Sequence, residues 1–231
     1  MTENILKLIK PADIITLLNA LLGFASVIMT ARGMVEEALV LILLAVIADG
    51  ADGAFARYSG TGVLGANLDS LADVISFGVA PAAAAFIFLS SLGSPAWAFS
   101  GFFLICGVLR LARFNVSGKK DGFEGIPITS GGFIVALFLL AGDHVPYAGY
   151  VFPLLLVILS LLMVSTIGYP KLRTPLLLAP MGILLLADIA FFYLGYADTV
   201  KLVSSLLFAL TFVYILSPAG RRLYDRSKRA G

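Results

Sequence analysis

Long apolar runs dominate this chain, and the polar residues that interrupt them are spaced at about 20 residues, the length of helix that crosses a hydrocarbon core. The runs predict eight membrane-spanning helices, at roughly 13–30, 38–57, 65–90, 96–115, 129–142, 149–168, 175–195 and 199–217, the fifth being the shortest. The connections are short and carry turn residues, as in "SLGSP" (91–95), "GYPKLRTP" (168–175) and "GYADT" (195–199). Before the first span, "NILKLIKP" reads as a short interfacial helix within residues 1–12, with Ile5, Leu6 and Ile9 dipping into the membrane surface. It is not a signal peptide, because no small-residue cleavage site follows and the apolar pattern recurs along the whole chain. No repeat, low-complexity tract or soluble domain stands out, so residues 1–231 read as a single polytopic membrane domain.

Composition agrees with the pattern. Of the 231 residues, 60% are hydrophobic and 13% charged, against about 45–50% and about 25% in soluble domains. The fold class is an all-α integral membrane protein. A net charge of +2 argues against nucleic acid as a partner. With a cytoplasmic amino terminus, 14 of the 16 basic residues fall on the cytoplasmic side: Lys7, Lys10, Arg57, Arg110, Arg113, Lys119, Lys120, Lys171, Arg173, Arg221, Arg222, Arg226, Lys228 and Arg229. Only Arg32 and Lys201 fall outside. An even number of spans with both termini and the 57–65 turn in the cytoplasm follows. Cys106, the single cysteine, reads as a buried helix thiol.

Against this apolar background, the stretch Ala48 to Asp73 carries four aspartates. Asp49, Asp52, Gly53 and Ala56 follow helical spacing and share a face of the second span; Gly65, Asp69 and Asp73 share a face of the third. "YSGTGVL" between them is a short reversal, so residues 38–90 fold as an antiparallel hairpin with its acids at similar depth. An aspartate at the centre of a span costs about 2.5–3.5 kcal/mol even on the lenient insertion scale, and repulsion adds to it. A divalent cation removes both penalties, and all-oxygen donors point to Mg²⁺ or Mn²⁺. Gly53, Ala56 and Gly65 remove bulk where a ligand or helix must approach, and Arg57 could grip a phosphate or merely snorkel. Acids, metal, small residues and an arginine together describe a diphosphate site.

The pattern Asp49-x-x-Asp52-Gly53-x-x-Ala56-Arg57, seven residues, then Gly65-x-x-x-Asp69-x-x-x-Asp73 resembles the full signature of the CDP-alcohol phosphatidyltransferase family. The resemblance implies that Asp49, Asp52, Asp69 and Asp73 hold two divalent metals against the diphosphate of a CDP-linked lipid, with Asp73 also the catalytic base. It implies a homodimer built on six core spans, two of the eight here being additions.

The acceptor is read from the fourth and fifth spans. Arg110 and Arg113 lie one turn apart in "CGVLRLARFNV", followed by Asn115, and Thr129 and Ser130 open a helix after Pro127 in "GFEGIPITSGG". Two arginines facing a helix start suit a carboxylate, although arginines on the positive-inside face of an ordinary loop would look the same. Both segments, with the opening "PADIITLLNALLGF", resemble the phosphatidylserine synthase branch, archaetidylserine synthases included. That implies transfer from CDP-diacylglycerol or CDP-archaeol to L-serine with release of CMP. Thr16 and Asn19 would then approach the nucleotide, or act as interhelical hydrogen-bonding glue. Asp188 reads as a structural intramembrane acid, and His144 lies on the outer side, away from the metals. The competing readings are an inositol-phosphate or glycerol 3-phosphate acceptor, a divalent-cation transporter, and an aspartate-rich prenyl transferase.

Overall fold

The computed structural model describes residues 4–59, 62–117, 123–169 and 175–230. The expected 57–65 turn lies partly outside the described residues, and Lys119, Lys120, Lys171 and Arg173 lie wholly outside them. For residues 219–230 the helix path alone is described.

The amino-terminal helix is a single turn, α1 (Ile5–Leu8), shorter than the expected interfacial segment. The reason is local: Pro11 takes the first position of α2 (Pro11–Ala31), where its missing N–H costs nothing, and Asp13 accepts the Lys10 main-chain N–H at 2.8 Å. Gly33, at φ +80°, closes α2 in the left-handed region, and α3 (Val35–Ser59) returns antiparallel with Glu36 and Glu37 at its positive dipole end. The third span is one rod from Gly65 to Phe88 with a break in its periodicity. It consists of α4 (Gly65–Asp73), a π-helical turn (Val74–Val79) and α5 (Ala80–Phe88). Then come α6 (Pro95–Ser117), α7 (Ile128–Ala141), α8 (Ala148–Val164), α9 (Pro175–Tyr193) and α10 (Ala197–Ala230).

Among the described residues, five helical segments have the length and hydropathy to cross a membrane: Pro11–Ala31, Val35–Arg57, Gly65–Phe88, Pro95–Val116 and Ala197–Pro218. Ile128–Ala141, Ala148–Val164 and Ala179–Tyr193 are shorter apolar helices in the places of the other three expected spans. The chain is a multi-pass helical membrane protein. The 14 residues of α7 reach about 21 Å at 1.5 Å per residue, short of a ~30 Å core. They do not need to reach lipid: α7 is apolar on all sides and buried along most of its length, packed against α3, α10, α8 and the π turn. Two features lay outside the sequence expectation. Residues Phe123–Glu124 (β1) and Gly168–Tyr169 (β2) pair antiparallel, tying the α6–α7 loop to the α8–α9 loop, and α10 runs as helix past the apolar span to Ala230.

Candidate active site

The start of α2, the end of α3 and the start of α4 enclose a cleft of ≈ 280 Å³. Ala12, Gly53, Ala56, Gly62, Gly65 and Ala66 line it, so its walls carry little side-chain bulk. Its polar groups are Asp13, Thr16, Asp52 and Asp69. Arg57 is exposed and absent from that lining; its Nη1 lies over Gly53, 3.9 Å from where a Cβ would stand, at the edge of the cleft.

The four signature acids do not form one equivalent set. Asp49, Asp69 and Asp73 each place a carboxylate oxygen within 4.8 Å of the others. Asp52 stands apart: its Oδ2 accepts a 2.6 Å bond from the Thr16 hydroxyl, and it faces the cleft with Asp69. Asp73 is 7% exposed, and its Oδ1 is buried without a hydrogen-bond partner. Arg110, also buried, interacts electrostatically with Asp69 and Asp73. Among the described residues, one guanidinium against three carboxylates leaves the group short of positive charge where the dielectric is low. Three hard oxygen donors at that separation, one with an orphaned buried oxygen, fit a hard divalent cation rather than a soft one.

The π turn sets where Asp73 sits. Such a turn inserts an extra residue into the helical register and re-aims what flanks it. Here close backbone approaches clamp it from two sides. Gly23 on α2 lies against Ser76, whose hydroxyl donates to the Asn19 carbonyl at 2.8 Å. Gly132 on α7 lies against Phe77, so close that a Cβ would stand 2.9 Å from its Cα. Thr16 lines the cleft and Asn19 does not: Asn19 is fully buried, and its amide oxygen and nitrogen have no hydrogen-bond partner among the described residues.

The acceptor-side residues divide as well. Arg113 is a staple: its Nη1 donates to the Val164 carbonyl (3.0 Å) and its Nη2 to those of Glu124 (2.6 Å) and Met163 (3.1 Å). It caps the end of α8 and holds β1 beside it, so the expected arginine pair is in effect one arginine. Arg110 packs its guanidinium 5.3 Å from the Phe114 ring centroid and interacts with Tyr214 of α10, which stands 5.9 Å from Tyr169. Asn115 accepts from Ser70 (3.1 Å), bridging α6 to α4. Thr129 and Ser130 are half-buried in the first turn of α7, which Ile128 wedges against Gly78 and Gly107.

Asp188 accepts from Ser204 at 2.7 Å between α9 and α10, the structural bond expected of it. His144 lies in a turn beyond the far end of α7, and Cys106 is buried. Sequence reasoning passed over Asp13, Ser70 and Ser76. Asp13 alone left a local signal, as the acid in the first turn of a proline-started helix.

A helical membrane bundle with an acid-lined, small-residue cleft at one end defines the class. The chain belongs to the CDP-alcohol phosphatidyltransferase family, whose sequence model matches residues 10–216. It is 36% identical over 179 residues to an archaetidylserine synthase of Methanothermobacter thermautotrophicus, covering 73% of each chain. It is 37% identical over 170 residues to a CDP-diacylglycerol–serine O-phosphatidyltransferase of Methanocaldococcus jannaschii, covering 73% of this chain and 77% of the relative. A protein of that same name from Helicobacter pylori is 35% identical over 170 residues, covering 70% and 72%.

Proposed function

We propose that this enzyme makes a serine phospholipid, transferring the phosphatidyl or archaetidyl group of a CDP-linked lipid to L-serine and releasing CMP. The observation that carries the reading is the Asp49, Asp69 and Asp73 group beside a small-walled cleft, in a chain whose relatives carry serine-transferase names. Those names do not favour inositol phosphate or glycerol 3-phosphate as acceptor, and family membership sets the transporter and prenyl-transferase readings aside.

Asp49, Asp69 and Asp73 would hold one divalent cation, Mg²⁺ or Mn²⁺, and Asp52 with Asp69 are the acids left on the cleft wall for a second. When bound, such ions neutralise the diphosphate and the charge that develops on attack. Gly53, Ala56 and Gly65 let the nucleotide diphosphate lie close to the helices, Thr16 fixes Asp52, and Arg57 at the cleft edge attracts phosphate. Asn19, behind the cleft, supports the π turn through its main chain. Asp73 takes the proton of the serine hydroxyl, the freed oxygen attacks the phosphorus bearing the lipid, and CMP leaves. Arg110 orients the serine carboxylate, Asn115 and Arg113 hold the surrounding helices and loops, and Thr129 and Ser130 border the acceptor. The lipid chains stay in the bilayer while the head enters from the cytoplasmic side. The exposed apolar face of α2, with Leu17, Leu21 and Phe24, is available to lipid or to the second copy of a homodimer.

The test is CMP release by purified protein given CDP-diacylglycerol or CDP-archaeol and Mg²⁺, with serine, inositol phosphate and glycerol 3-phosphate supplied in turn. Release that depends on serine alone supports the reading, and release driven by another acceptor overturns it.

A further inference from the structure

Asp13 belongs neither to the signature spacing nor to the clustered acids, yet it is 2% exposed and lines the cleft. The Lys10 N–H holds its Oδ2 at 2.8 Å, and an ionised carboxylate can accept further bonds. Gly62 brings the α3–α4 hairpin over it: a Cβ there would stand 3.0 Å from Oδ2. Asp13 lies outside the Asp49, Asp69 and Asp73 group, and of the signature acids it is Asp52, held by Thr16 one turn along α2, that interacts electrostatically with it. Gly62 precedes Gly65, the first residue of α4, and Asp69 lies another turn in, so Gly62, which lies against Asp13, is roughly two helical turns, or about 10 Å, from Asp69. In a nucleotide whose phosphates sit at Asp69, the base edge lies farther out than the ribose hydroxyls do. A carboxylate placed there repels phosphate and offers only acceptors. It suits the exocyclic amine of cytosine and has nothing to give the corresponding carbonyl of uracil.

We propose that Asp13 is the specificity-determining residue that selects a cytidine over a uridine nucleotide, by accepting a hydrogen bond from the cytosine amine between the walls made by Ala12, Ala56 and Gly62. This rests on the CDP-lipid reading of the cleft, and the experiment separates the two. Asp13→Asn keeps an oxygen for the Lys10 N–H, which turns its amide nitrogen, a donor, away from that N–H and toward the base.

The affinities of CMP and UMP for the purified, Mg²⁺-saturated protein are measured by calorimetry, beside turnover of the CDP-linked lipid. Wild type should prefer CMP by roughly tenfold or more, and Asp13→Asn should close most of that gap by weakening CMP and strengthening UMP. If Asp13→Asn does not fold, Asp13→Ser tests the same base preference and should narrow it, with CMP weakened and UMP unchanged. Equal weakening of both nucleotides, leaving the preference as in wild type, overturns the proposal in favour of a purely structural helix-start role. A changed discrimination against 2′-deoxy-CMP with an unchanged base preference overturns it in favour of ribose binding. Wild type that binds CMP selectively but never turns over a CDP-lipid refutes the enzyme reading and leaves the base reading standing.

Discussion

Replacing Gly132 by alanine puts a methyl group into one of the two close backbone approaches to the π turn that follows Asp73. The new Cβ would stand 2.9 Å from both the Cα and the carbonyl oxygen of Phe77, and 3.0 Å from its Cβ. The optimal carbon–carbon separation is about 3.5–4.0 Å, so the methyl would sit too close to the Phe77 main chain by roughly 0.6 Å or more. The opposing atoms are mostly backbone, which cannot rotate away, so the strain goes into separating α7 from the π turn. Overpacking of this kind costs about 1–3 kcal/mol. Phe77 lies in the turn that follows Asp73, so the same displacement moves the proposed base, and a misplacement of about 1 Å can cost ~10²-fold in rate. The neighbouring substitution is the control. At Gly131 the nearest atoms are side-chain atoms of Met163 and Phe103 at 3.5 Å, an ordinary van der Waals distance, and alanine is favoured over glycine in a helix by about 0.8–1 kcal/mol. Thermal unfolding in detergent and serine-dependent CMP release should therefore show Gly132→Ala less stable and far slower, with Gly131→Ala close to wild type in both. Equal behaviour of the two variants would refute the claim that the packing of α7 sets the position of Asp73.

Three further outcomes follow from the site. Asp73→Asn should still bind CMP in the presence of Mg²⁺ while turnover falls ~10²–10⁴-fold, whereas Asp49→Asn should lose metal and nucleotide affinity together; recovery of Asp73→Asn at high metal concentration would make Asp73 chiefly a ligand. Arg110→Ala should raise the KM for serine by roughly tenfold or more, since a hydrogen bond to a charged group is worth about 1.5–3 kcal/mol. Arg113→Ala should instead lower the unfolding temperature and leave the ratio of serine to CDP-lipid KM unchanged, and a serine-specific defect in that variant would show that the staple is not its role. A cysteine placed at Ser227 should be shielded from an impermeant thiol reagent added outside intact cells, and labelling there would overturn the proposed cytoplasmic orientation of the termini.

Much of the molecule was legible in the sequence because spacing and hydropathy are local properties. Eight apolar segments appear as helices where the runs place them, and the i, i+4 repeat of Asp69 and Asp73 opposite Asp49 puts three carboxylates together. What spacing could not show is which acid has another partner. Asp52 shares the pattern of Asp49 but is held by Thr16, 36 residues away on a different helix. Arg113 has the same helical address as Arg110, and its carbonyl partners at Met163 and Val164 lie about 50 positions on. The π turn leaves no periodic trace either, and the glycines that pack closely against it, Gly23 and Gly132, lie about 50 positions away on either side in other helices. The short α7 was visible as a short span, but only its neighbours explain why a helix of 14 residues suffices there.

The central claim is that the serine hydroxyl oxygen attacks the phosphorus bearing the lipid, with Asp73 taking its proton. The direct measurement uses L-serine labelled with ¹⁸O in the hydroxyl group, incubated with CDP-linked lipid, Mg²⁺ and the purified enzyme, followed by mass spectrometry of both products. The account predicts the heavy isotope in the serine phospholipid, bridging serine to phosphorus, and unlabelled CMP. Label in the nucleotide product, or a serine lipid without it, would contradict the account by showing attack at the other phosphorus or through another atom of serine.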